Sequence, residues 1–402
     1  MIEVVAAMTV FTIVVTVTLG MILKTAQVTA SNSRRVVAAG LANRQIESAR
    51  SQLATQIPNG AQTRIETVGG VAYTVTQTAN YLAPDASTSV CTGSGSQLAS
   101  KLVTVTVTWP AMGTTKPVRA DTLRTIGIGE GLDATKGSLA VAVTGAGGAP
   151  VSGVALTAAG QQVTTGIDGC AVITGVDPGT YVATVASPGY VGSGNAQATS
   201  LANLVVNAGG ITRGTLLYDQ AHTVTLTSAA GGGYQVPAGL GLTFRDTYLA
   251  QQAYPACGQV SGQGCLTAFP GSAQNLFPAV YNVWAGTCAD AALPTTVDLT
   301  GATLDGGTVA VGVGRARVDV QTAGVSQAGR VVYAVHAADP VGPNPGCVGG
   351  ETWTLPVTAV GGVSVVLPYG TWKFSLTPVP PGNAPSATLT AASPASVVVV
   401  AP

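Results

Sequence analysis

The chain has 402 residues, too many for one core, and roughly 150 residues per domain sets two to four units. Only 8% of residues are charged and the formal net charge is zero. The five lysines (Lys24, Lys101, Lys116, Lys136 and Lys373) are scattered where phosphate neutralisation needs clusters, which excludes a nucleic-acid partner.

Ile2 to Leu23 is a run of apolar, Gly and Thr residues broken only by Glu3. As a helix it measures about 33 Å, enough to cross a bilayer. A carboxylate in such a run costs a few kcal/mol unless it reaches the headgroup layer or meets a partner. No basic region precedes the run and no small-residue cleavage site follows it, so it reads as a retained segment. Beyond Lys24 the pattern turns amphipathic, with Ala42, Ile46, Ala49, Leu53 and Ile57 forming one helical stripe that Pro58-Asn59-Gly60 ends. The spacing predicts one helix over about 1–57, roughly 84 Å long.

From Thr63 the apolar period becomes two, in Val71 to Thr76 and Leu102 to Trp109, which predicts a small sheet against the second half of the helix, with Gly127 to Gly131 as a linker. Three similar units follow. Each opens with a strand and a Gly-rich turn and later carries a proline ahead of an aromatic strand: Pro178 before Tyr181, Pro278 before Tyr281 and Trp284, Pro368 before Trp372. Short strands between Gly and Pro turns at this spacing predict β-sandwiches, with Val397 to Val400 as the last strand. The expected class is α+β then all-β, divided as a helix (1–57), a β domain (58–130) and three tandem sandwich modules (135–219, 220–313, 314–402).

Six cysteines (Cys91, Cys170, Cys257, Cys265, Cys288 and Cys347) without a C-x-x-C pair fit an oxidising compartment and up to three disulfides. Fifteen pairings exist, and only the short Cys257–Cys265 spacing hints at a local bridge. With His222 and His336 the only histidines, each read as a half-exposed strand residue, no metal or cofactor is expected. Asp168, Asp177 and Asp246 read as turn or strand-edge residues and supply no carboxylate pair, so the chain is not expected to be an enzyme. Tyr181, Trp284 and Trp372 are read as packing residues, not a sugar-stacking surface.

Met1-Ile2-Glu3-Val4-Val5-Ala6-Ala7-Met8-Thr9-Val10-Phe11 resembles the start of type IV pilins and pseudopilins, over about the first 55 residues. The resemblance implies a leader removed by a prepilin peptidase, a methylated N-terminus and a hydrophobic helix packed into a filament core. The family usually has two residues between the cleavage point and the place of Met1, so either the mature chain begins two residues upstream of Met1, the favoured expectation, or its mature end is unusual. Gly20 stands near the family's helix proline and either loosens the helix there or packs against a neighbour. Ser138 to Tyr190, through Pro150-Val151-Ser152-Gly153, Thr164-Thr165-Gly166-Ile167-Asp168-Gly169 and Pro178-Gly179-Thr180-Tyr181, resembles a carboxypeptidase-regulatory-like or Cna-B-like module, a scaffold without peptidase activity. Such modules often carry a Lys-to-Asn isopeptide bond; Lys136 is the candidate, disfavoured because no glutamate lies between Glu130 and Glu351.

The expected function is a pilin, a single-pass cytoplasmic membrane protein before assembly and part of an extracellular filament afterwards. Its expected partners are identical or related subunits, with Glu3 binding a neighbour's N-terminus. The alternatives are a membrane-anchored adhesin that binds a ligand through its β modules, and a secretion-system pseudopilin.

Overall fold

Helix α1 (Ile2–Arg50) carries its apolar stripe onto a sheet only in its second half, where Ala38, Leu41, Ala42, Ile46 and Ala49 are buried. The computed structural model describes residues 2–82, 89–93, 100–126, 133–246, 252–254, 269–286, 295–301, 305–339 and 349–402. The sheet is an antiparallel meander of β1 (Gly60–Val68), β2 (Val71–Leu82), β3 (Ser100–Thr108) and β4 (Val118–Thr125). Alternation along β2 and β3 sends Tyr73, Val75, Val105, Val107 and neighbouring Trp109 against the helix. The one amide on this buried face, Gln77, accepts a 2.6 Å hydrogen bond from Gln45, so the helix supplies its partner.

The helix is shorter than its stripe predicts. It stops at Arg50, and after a 3-10 turn (Ala54–Gln56) Ile57 is extended, as a residue before proline prefers. Leu53 falls outside the helix and is exposed, whereas Ile57 returns to the core beside Ala49, Ala79 and Val103. Side chains meet carbonyls along the exit: Ser51 Oγ donates to the helix carbonyl of Ser48 at 2.8 Å, and beyond the helix Arg124 Nη2 donates to Gln52 at 3.0 Å and Lys101 Nζ to Ile57.

Beyond lie the strands of three sandwiches. The first has β5 (Gly137–Thr144), β6 (Ala155–Ala158), β7 (Gln161–Thr164), β8 (Cys170–Val176), β9 (Gly179–Ala186), β10 (Tyr190–Gly192), β11 (Ala198–Val206) and β12 (Ile211–Gln220). The second has β13 (His222–Ser228), β14 (Leu242–Arg245), β15 (Gln252–Tyr254), β16 (Gly271–Leu276), β17 (Val280–Ala285), β18 (Thr295–Asp298) and β19 (Thr308–Val311). The third has β20 (Gly314–Thr322), β21 (Val325–Ser326), β22 (Arg330–His336), β23 (Thr352–Val357), β24 (Val363–Leu367), β25 (Gly370–Ser375), β26 (Ser386–Leu389) and β27 (Ala395–Val400).

Sheet orders β8-β5-β12 and β7-β6-β9-β11 in the first module recur as β16-β13-β19 and β15-β14-β17-β18 in the second, and as β24-β20-β27 and β23-β22-β25-β26 in the third. The internal repeat is thus one topology used three times, with β10 and β21 as local additions. In the second and third modules the first strand runs parallel to the last, Thr225 opposite Thr308 and Val318 opposite Val397. By packing, the chain divides into two compact units, Met1–Val143 with Pro150–Thr184 and Ser200–Thr215, and Thr144–Ala149 with Val185–Thr199 and Leu216–Pro402.

Candidate assembly interface

The first half of α1 leaves its described apolar side chains in the open: Phe11 is 70% exposed, Met8 67% and Met21 66%. Chains in water do not leave such a surface uncovered, and this helix is long and apolar enough to cross a membrane. Its threonines are the finding that composition did not show. Thr12 donates to the Met8 carbonyl at 2.8 Å, Thr18 to Val14 at 2.7 Å, Thr25 to Met21 and Thr29 to Thr25 at 2.9 Å, and Thr16 reaches both Thr12 and Ile13 at 2.9 Å. Each of these five hydroxyls folds back one turn, so they present methyl groups and no unmet donor to an apolar surrounding.

Glu3 lies in the first turn and is exposed; Met1 lies outside the described residues. Gly20 is helical, and a Cβ built there meets nothing within 4 Å, so no contact inside the chain requires glycine. The basic residues begin only at Lys24, with Arg34 and Arg35 beyond, where the apolar run gives way.

Cys91 and Cys170 form a disulfide with Cα atoms 5.7 Å apart. It joins the stretch after β2 to the first strand residue of β8, inside a buried cluster that includes Tyr81, Val90, Ile126, Ala140, Ala142 and Val172. Arg213 Nε adds a 2.7 Å bond to the Val90 carbonyl. Strand β5 is buried along both faces, its small Ala140 and Ala142 in this cluster, which is why it reads as a continuous apolar run. Cys257, Cys265, Cys288 and Cys347, with the Cys257–Cys265 hint and the Gly127 to Gly131 linker, lie outside the described residues.

The repeated aromatics hold one corner in each module. Tyr181 Oη donates to the Asp177 carbonyl at 2.9 Å, Tyr281 Oη to Phe277 at 2.8 Å, and Trp372 Nε1 to Pro368 at 2.8 Å, each reaching four residues back. Trp372 is fully buried and Trp284 nearly so, while Tyr181 is half-buried. His336 departs from its expected half exposure: it is buried edge-on against Trp372, ring centroids 4.6 Å apart, and burial pushes its pKa down. His222 is half-buried with Nδ1 3.6 Å from Asp305. Lys136 makes an exposed 2.6 Å ion pair with Asp177, and Asp168 caps the turn to Cys170. Among the described residues no group of three His, Cys, Asp or Glu side chains is placed to hold a metal.

Sequence reading missed Lys101. It shares the period of Val103, Val105 and Val107 and so points inward, 1% exposed, its Nζ 4.3 Å from the ring centroid of its cross-strand neighbour Tyr81. Burial lowers its pKa to about 7 and raises that of Tyr81 to about 12. The signal was present in Lys-x-Val-x-Val-x-Val, where the lysine occupies a core-facing slot.

No family model and no curated protein matches the chain. Solved structures with weak likeness include the Bacillus anthracis TIE protein (12% identity, 90% of this chain and 78% of that one, TM-score 0.20). Others are a streptococcal ancillary pilin (10%, 52% and 75%, TM-score 0.21) and GBS52, the minor pilin of Streptococcus agalactiae (13%, 44% and 94%, TM-score 0.22). Scores this low carry no weight for the arrangement or the function of this chain.

Proposed function

We propose that the chain is a structural subunit of a type IV pilus or pilus-like filament. The observation that carries this reading is the exposed, membrane-length half of α1, where the hydroxyls of Thr12, Thr16, Thr18, Thr25 and Thr29 are turned back on the helix and whose first turn bears Glu3. Before assembly this half spans the cytoplasmic membrane; a prepilin peptidase processes the chain; afterwards the apolar surface is covered by the helices of identical or related subunits. Glu3 pairs with the N-terminal amine of a neighbour. In a low-dielectric core that contact is strong and directional and sets the axial register, while apolar contacts supply adhesion without register. Gly20 lets a neighbouring helix approach closely. Residues 58–130 form the pilin β domain, and 135–219, 220–313 and 314–402 form modules displayed on the filament surface.

The test compares wild-type and Glu3→Ala subunits expressed beside the native assembly machinery, with equal membrane amounts verified. Sheared filaments should contain at least tenfold less Glu3→Ala subunit, and equal incorporation overturns the reading.

A further inference from the structure

Beside the helix exit lies a cavity of about 310 Å³, at the small end of ligand pockets, with Lys101 in its wall. Lys101 Nζ bonds the Ile57 carbonyl and rests on the Tyr81 ring, and no carboxylate lies within 4 Å of it among the described residues. A buried ammonium without an anion is an expensive feature that a hydrophobic residue would relieve. Asn59 Oδ1, also in the wall, is buried with no donor among the described residues. The rim is uncharged and amide-rich, from Gln62, Gln161 and Gln162. One cation suits a monoanion; a phosphate dianion would ask for more cations or a set of backbone N–H groups.

We propose that this cavity binds a hydroxylated monocarboxylate of monosaccharide size, a sugar acid, its carboxylate paired with Lys101 and one hydroxyl donating to Asn59 Oδ1. The ligand's anion completes the lysine's charge, its hydroxyl fills the empty acceptor, and the rim amides meet the remaining hydroxyls. This site does not depend on the filament reading, and it is tested without filaments.

Because burial holds Lys101 near pH 7, the carboxylate binds the protonated form and draws a proton in with it. Calorimetry on the full-length chain in detergent, with glucuronate, glucose and acetate at pH 6, 7 and 8.5 and in two buffers of different ionisation heat, reads this directly. Glucuronate should bind at least tenfold more tightly than glucose or acetate. Its affinity should fall about tenfold per pH unit above pH 8, with roughly half a proton taken up at pH 7. Asn59→Ala should weaken glucuronate severalfold and leave acetate unchanged, and Lys101→Met should abolish glucuronate binding. If Lys101→Met does not fold, the wild-type proton uptake decides alone. Absence of millimolar glucuronate binding, equal binding of glucose, or an affinity independent of pH overturns the proposal.

Discussion

A lysine in a core-facing slot of β3 makes stability depend on pH in a direction opposite to that of most lysines. Unfolded, Lys101 titrates near 10.5; folded, near 7. Below pH 7 both states are charged and the folded chain bears the whole cost of the buried ammonium. Between pH 7 and 10 the unfolded chain holds the proton and the folded chain does not, so stability rises with pH by roughly 3 to 5 kcal/mol. Tyr81, raised to about 12, opposes this only above pH 10, where the unfolded phenol ionises first. Denaturant titrations at pH 6, 8 and 10 should show Lys101→Met more stable than wild type at pH 6, with that advantage lost by pH 10, where the missing Ile57 hydrogen bond is what still separates the two. A wild type and variant that differ equally at all three pH values refute the assignment. The strand register carrying this residue was legible in the sequence, since Lys101 keeps step with three buried valines. Its lack of an anion was not, because it depends on what the loop at Ile57 to Asn59 and the strands β7 and β8 bring to the same place.

At the scale of elements, periodicity carried the helix and the meander but misjudged where a helix stops. Leu53 fits the stripe by spacing, yet past Arg50 the chain is held by Ser51 on the Ser48 carbonyl, Arg124 on that of Gln52 and Lys101 on that of Ile57, and the last two are contacts that no local pattern encodes. The module repeat was visible as a proline ahead of an aromatic strand, while the bond from each ring to a carbonyl four residues back had to be seen in space. These corners differ in burial and so in worth. Tyr281→Phe leaves the Phe277 carbonyl of a fully buried site without that donor and should cost about 1 to 3 kcal/mol, whereas Tyr181→Phe, where water replaces the hydroxyl, should cost under about 1 kcal/mol. Urea unfolding of the two variants checks the order; a larger loss for Tyr181→Phe would mean that the corner bonds are incidental to strand packing.

Across the whole molecule, the compact unit that contains α1 draws strands from two sequence regions expected to be separate domains, and a covalent bond spans them. Cys91 and Cys170 are 79 residues apart, and loop-closure entropy at that separation is worth about 4 to 5 kcal/mol against the unfolded chain. Spacing gave no means of choosing this pair among fifteen, because what joins them is the packing of Ala140, Ala142, Tyr81 and Val90 into one cluster, a contact between a β2 end and the face of β5. The same cluster means that the bond is not the only tie: Arg213 to Val90 and the buried alanines persist without it. The selective change is Cys91→Ala with Cys170→Ala. Hydrogen exchange on that double variant should show protection lost by up to a thousandfold across β2, β3, β5 and β8, the equivalent of about 4 kcal/mol, with β20 to β27 unchanged because no residue of the Cys91–Cys170 cluster packs into their core. Unaltered protection in β5 and β8 would mean that the alanine and valine contacts hold the two regions together without the disulfide, and that the bond's role lies elsewhere than in the stability of this unit.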